Sequence, residues 1–229
     1  MTRYLNKELD KLKKQLLTLG TMVEERYWLA VSAINTLDIE LAEKVISADE
    51  EIDEHEVEIE EEALKIIALY QPVAVDLRFI VAIIKINNDL ERIADEAVNV
   101  CKRVVSVAKA APLKTDYDYK DMSEKAGEML KKCLDSFVNL DTDLATSVRM
   151  MDGDVDRMKN GFYDIIKSAI RQNPDRVGPF INLLLISRHL ERIADHSTNI
   201  AEEVIHMVEG VIVRHGVNYF NRNGSDPNK

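Results

Sequence analysis

Apolar residues recur at three- and four-residue spacing along almost the whole chain, and no stretch alternates convincingly with a period of two. The spacing predicts six helices, the first from Leu5 to Leu37 and the second from Ile39 to Leu69. Tyr70-Gln71-Pro72 breaks the pattern, and a third helix is expected from Ala74 to Ala110. Ala111-Pro112 and the polar run to Tyr119 read as a linker. Helices from Lys120 to Leu140 and Thr142 to Arg171 follow, then a break at Asn173-Pro174 and a last helix from Arg176 to Val213. The tail from Asn221 to Lys229 is polar and expected to fray.

The pattern repeats. Leu90-Glu91-Arg92-Ile93-Ala94-Asp95 recurs unchanged as Leu190-Glu191-Arg192-Ile193-Ala194-Asp195, and Asn99 recurs as Asn199. Earlier in each half, Leu37-Asp38 aligns with Leu140-Asp141, Leu41-Ala42 with Leu144-Ala145, and Asp49 and Asp53 with Asp152 and Asp156. The second copy is therefore shorter by a few residues near the turn before its third helix, a connection where a length change is easily accommodated. The expected fold is all-α, two tandem three-helix bundles at residues 1–112 and 113–215, with a polar tail at 216–229.

Composition agrees: the 229 residues include only 8 Gly and 5 Pro, and each half is long enough to bury a core. The formal net charge of -11, with no cationic cluster, argues against binding nucleic acid or an anionic membrane surface. No uninterrupted apolar run approaches the roughly 18 residues of a membrane span, and the N-terminus lacks a signal-peptide pattern. Cys101 and Cys133 lie within apolar helical patterns and read as reduced core thiols of a cytoplasmic protein.

The surplus charge is carboxylate, and part of it is ordered. Residues four apart lie about 40° apart around a helix, so Glu91 and Asp95 share a face at the border of the stripe formed by Leu90, Ala94, Ala97, Val98 and Cys101. Lys85, Asp89, Glu96 and Arg103 point away from that stripe. On the second helix, Asp49, Asp53, Glu56 and Glu60 border a stripe of Ile52, Ile59, Ala63 and Ile66. In the second copy Asp152 and Asp156 border Val155, Phe162 and Ile166, and Glu191 and Asp195 complete the set. Like charges at this spacing destabilise a helix slightly unless something neutralises them. A bound cation would do so, and oxygen-only ligation suits divalent or trivalent ions such as Mg, Mn, Ca or Fe, with Zn also admitted. Solvated acidic faces, as read for Glu50, Glu51, Glu54, Glu58, Glu61 and Glu62, are the plainer alternative. Salt bridges to Arg92 or Arg192 are a third.

The copies differ where it matters for an ion. Lys159 and Tyr163 stand where the first copy has Glu56 and Glu60, so weaker metal binding, or none, is expected in the second. His55 reads as a core histidine, and His196 is a lesser candidate ligand. A metal-dependent oxidase or hydrolase on a helical bundle is the alternative function. A di-iron site of that kind needs two Glu-x-x-His motifs, and only Glu203 to His206 matches. Phosphate-cradling loops and nucleophile elbows are absent, so nothing in the sequence argues for catalysis.

The duplicated Leu-Glu-Arg-Ile-Ala-Asp run, the segment Gln71-Pro72-Val73-Ala74-Val75-Asp76-Leu77-Arg78 and the lead-in Leu19-Gly20-Thr21-Met22-Val23-Glu24 together resemble the PhoU family over residues 5 to 210. Ala94 and Ala194 stand where that family often has Gly, a mild departure. The resemblance implies a cytoplasmic, non-enzymatic negative regulator of phosphate uptake. It further implies a homodimer with metal at its acidic motifs, coupling the ATPase of a phosphate ABC transporter to a sensor histidine kinase.

Overall fold

A computed structural model describes residues 2–110 and 118–213. The expected linker from Ala111 onward and the polar tail fall largely outside these residues. The described chain forms seven α-helices: α1 Thr2–Thr36, α2 Ile39–Ser47, α3 Asp49–Tyr70, α4 Val75–Ala108, α5 Lys120–Asn139, α6 Thr142–Gln172 and α7 Val177–Glu209, with a 3-10 turn at Pro174–Arg176 before α7.

The repeat extends to the backbone of its turns. Leu37 and Leu140 both adopt left-handed conformations, with φ of 51° and 54°. Each is followed by an aspartate that caps the next helix: Asp38 accepts from the Leu41 amide at 3.0 Å and Asp141 from the Leu144 amide at 2.9 Å. The copies part at the turn before the last helix of each repeat. There the first uses Gln71 and Ala74 at positive φ, and the second uses the 3-10 turn.

Most helix ends fall within three residues of the periodicity, and two differences are larger. The expected second helix is broken into α2 and α3 at Ala48, whose amide reaches only the Val45 carbonyl at 3.4 Å. The acidic trio Asp49, Glu50 and Glu51 then occupies the first turn of α3, where the positive end of the helix dipole favours it. An apolar period carries no information about such a local break. At the far end, α7 stops at Glu209 rather than Val213. Gly210 takes the left-handed cap position (φ 74°), its amide bonds the His206 carbonyl, and Arg78 Nε donates to the Met207 carbonyl at 2.9 Å.

At the centre α4 and α7 pack antiparallel, each burying isoleucine and leucine: Ile83, Ile86 and Leu90 on one, Ile186, Leu190 and Ile193 on the other. Helix α1 closes the first repeat against α2, α3 and α4, and also touches α5 of the second. At that crossing Gly127 lies under Tyr27 and Trp28, and the Tyr27 hydroxyl donates to the Ser123 carbonyl. Ile52, Ile59, Ala63 and Ile66, and likewise Val155, Phe162 and Ile166, are buried as their periodicity requires. Cys101 and Cys133 are free and buried.

Two assignments are corrected. His55 is not a core residue: its side chain is 42% exposed and sits 3.7 Å from Glu58. Nor do Lys85, Asp89, Glu96 and Arg103 face away from the protein. They line the seam with α7, through Lys85 to Glu203 at 3.2 Å, His196 to Asp89 at 2.8 Å, His189 to Glu96 at 2.6 Å, and Arg103 to Asn182 at 3.3 Å. The helical wheel locates a polar residue relative to its own repeat's apolar stripe. It does not reveal a second repeat packing on the polar flank.

Candidate functional site

Each repeat sets two carboxylate rows side by side, one on each of two adjacent helices. In the first, Asp49, Asp53 and Glu56 of α3 border Glu91 and Asp95 of α4. Their mutual influence shows in their acidity. Burial, then the charges of Asp53 and Asp95, raises the Asp49 pKa. For Glu91, burial and Asp95 lead and Asp53 and Glu56 add to them. Burial, Glu60 and Asp53 raise Glu56. The rows therefore form one electrostatic unit, and opposed carboxylates resist ionising together.

Asn87, fully buried on α4, donates from Nδ2 to the Glu56 carbonyl at 2.8 Å and to its Oε1 at 3.2 Å. This residue was not singled out from the sequence. It precedes Glu91 by one helical turn, a polar residue on the apolar side, and that placement was the available signal. Glu60 lies further along α3 and lines a cavity of roughly 520 Å³ with Asn88, Asp89, Asn199 and Glu203.

The second repeat brings Asp152 and Asp156 of α6 beside Glu191 and Asp195 of α7. Asp195 is pushed up to about 6 by burial, then by the charges of Glu191, Asp152 and Asp156. Thr198, also missed from the sequence, donates to Asp152 Oδ1 at 3.3 Å. Lys159 Nζ enters this cluster, 2.6 Å from Glu191 Oε1 and 3.1 Å from Asp156 Oδ1.

The arginines within the duplicated motif make their closest contacts outside the acidic rows: Arg92 Nε donates to Asn88 at 3.3 Å, although its charge also acts on Glu91, and Arg192 pairs with Glu96 at 2.7 Å. His196 spends its Nδ1 on Asp89. Among the described residues, no three His, Cys, Asp or Glu side chains are already drawn together at metal-holding distance. The first cluster's donor set, all oxygen and with no lysine bonded to its members among the described residues, is nonetheless of the kind that hard cations take.

The PhoU domain profile matches the chain twice, over residues 16–104 and 119–204, each match ending in one α4- or α7-type helix with its acidic pair. The chain belongs to the PhoU family. A relative from Aquifex aeolicus, named as a phosphate-specific transport system accessory protein PhoU homolog, is 40% identical over 209 residues, spanning 91% of this chain and 95% of its own length. Among solved PhoU structures, that from Pseudomonas aeruginosa superposes with a TM-score of 0.86 at 35% identity, over 90% of this chain and 99% of the other. The phosphate transport system regulatory protein PhoU from Streptococcus pneumoniae gives 0.80 at 28% identity, over 91% and 99%. Both matched regions are all-helical, so the PhoU-like duplicated fold read from the sequence stands. No helix among the described residues is long and apolar enough to cross a membrane.

Proposed function

We propose that this protein is a non-enzymatic accessory regulator of phosphate transport that holds phosphate-responsive gene expression down when phosphate is plentiful. In this reading it couples a phosphate ABC transporter, through its ATPase, to a sensor histidine kinase, as a cytoplasmic homodimer. Similarity over 91% of the chain to a phosphate-specific transport system accessory protein homolog carries the proposal, because both repeats and both acidic motifs are included in the family match. The first-repeat cluster of Asp49, Asp53, Glu56, Glu91 and Asp95 would hold a divalent or trivalent metal ion, supplying a fixed positive charge that ties α3 to α4. The motivating observation is the mutual destabilisation of these carboxylates described above.

The test is removal of the gene from its host. Phosphate-starvation genes should then stay on in phosphate-rich medium, and a plasmid copy should restore repression. Normal repression in the deletion strain would sink the proposal.

A further inference from the structure

We infer that the second repeat's carboxylate cluster is closed to metal ions, because the Lys159 ammonium is its built-in counter-ion. The inference deepens the metal reading of the first cluster and concerns the residues that depart from it. At corresponding places, Glu56 is matched by Lys159, Glu60 by Tyr163 and Asn88 by Arg188. Each exchange moves the local charge towards positive. Lys159, Tyr163, Arg188, Glu191 and Asp195 line one cavity of about 510 Å³, so the three exchanges act on the same space. Lys167 adds a further cation, its Nζ lying 5.8 Å from the centre of the Tyr163 ring.

The ammonium joins the two carboxylate rows directly. Lys159 contacts a carboxylate from each helix, Asp156 of α6 and Glu191 of α7, and the Glu191 side chain is only 16% exposed. A protonated amine has donors and no acceptor, so it satisfies carboxylates but cannot ligate a metal. An incoming cation would have to displace it against like-charge repulsion. The Thr198 hydroxyl further engages an Asp152 oxygen. The plainer reading makes Lys159 an ordinary surface pair of little energetic consequence.

The two readings separate on Mn²⁺ binding by the full-length chain, read as ions per chain by elemental analysis after equilibration and desalting. Neutralising the second cluster with Asp152→Asn and Asp195→Asn should leave the wild-type stoichiometry unchanged. Lys159→Glu with Tyr163→Glu should add at least one ion per chain, and that gain should vanish when Asp152 and Asp195 are also neutralised. A wild-type protein that loses Mn²⁺ through Asp152→Asn and Asp195→Asn overturns the inference, as does a folded double-glutamate variant that gains none. Should the double-glutamate chain not fold, Lys159→Gln serves: its Tm should rise with Mn²⁺ by more than the wild-type Tm does, and an identical response overturns the proposal. If wild type binds no Mn²⁺ at all, the metal reading of the first cluster fails, while the gain in the Lys159 variants still decides this one.

Discussion

His189 Nδ1 lies 2.6 Å from Glu96 Oε2, and the same two repeat positions meet a second time with their places swapped: His196 Nδ1 lies 2.8 Å from Asp89 Oδ1. Positions 89 and 189 correspond in the two copies, as do 96 and 196. The first repeat thus supplies both carboxylates and the second both imidazoles. Two first repeats packed together in this manner would oppose Asp89 with Glu96. The arrangement favours pairing of unlike repeats and penalises pairing of like ones. Glu96 is almost fully buried, and removing its charge takes away the carboxylate that both His189 and Arg192 contact. Glu96→Gln should therefore cost about 1–2 kcal/mol in denaturant unfolding, because hydrogen bonds to a charged group are replaced by weaker bonds to a neutral amide.

The pH dependence of stability should have two limbs. Burial alone would raise Glu96, but the hydrogen bond from His189 and the charges of Arg192, His189 and His196 outweigh it and hold the carboxyl below its usual range. A depressed folded pKa gives stability that is present above the ordinary value of 4.5 and lost as pH falls through the folded one. Asp195 acts in the opposite sense. Its folded pKa of about 6 exceeds the ordinary 3.8, so the metal-free fold gains stability as pH drops from 7 through that interval. Thermal melts in chelator should show the gain, and Asp195→Asn should flatten that limb while leaving the acid limb in place.

These features differ in how far the sequence could disclose them. The duplication was legible because identical residues were kept in register, and the turns bear it out in the matched conformations of Leu37 and Leu140. The acidic rows were legible because their four-residue spacing is a property of one helix. What escaped depends on two repeats meeting: Glu96 and Asp89 looked like solvent-facing charges until α7 was laid against α4. The break at Ala48 escaped for a different reason, since a locally unwound turn leaves the apolar period on both sides intact. Lys159 was recognised as a departure, but its contact with both rows is a tertiary fact.

The crossing of α1 and α5 should be intolerant of side chains at position 127. A methyl group there would meet Trp28 at 2.6 Å and Tyr27 at 2.8 Å. Trp28 is partly exposed and can swing outward, but Tyr27 is fully buried and held by its bond to the Ser123 carbonyl. Replacing glycine within a helix would ordinarily gain up to about 1 kcal/mol in propensity. Overpacking here should exceed that gain, leaving Gly127→Ala destabilised by about 1–2 kcal/mol. Urea titration should show a lower midpoint with an unchanged slope.

The first cluster makes the sharpest prediction, because neutralising it should separate folding from ion binding. Glu91 and Asp95 repel each other and their α3 neighbours, so removing their charges relieves strain in the metal-free chain. Glu91→Gln with Asp95→Asn should melt no lower than wild type in chelator, and slightly higher if the repulsion is felt. A ligand that binds only the folded state stabilises it, by about 2.7 kcal/mol at a hundred times its Kd. Wild-type Tm should consequently rise with added Mn²⁺, whereas that of the neutralised variant should not. Equal responses would mean that the ion acts on the exposed acidic faces generally, through screening, rather than at Glu91 and Asp95. A variant that melts well below wild type in chelator would instead make the two side chains structural, their charges already balanced within the fold.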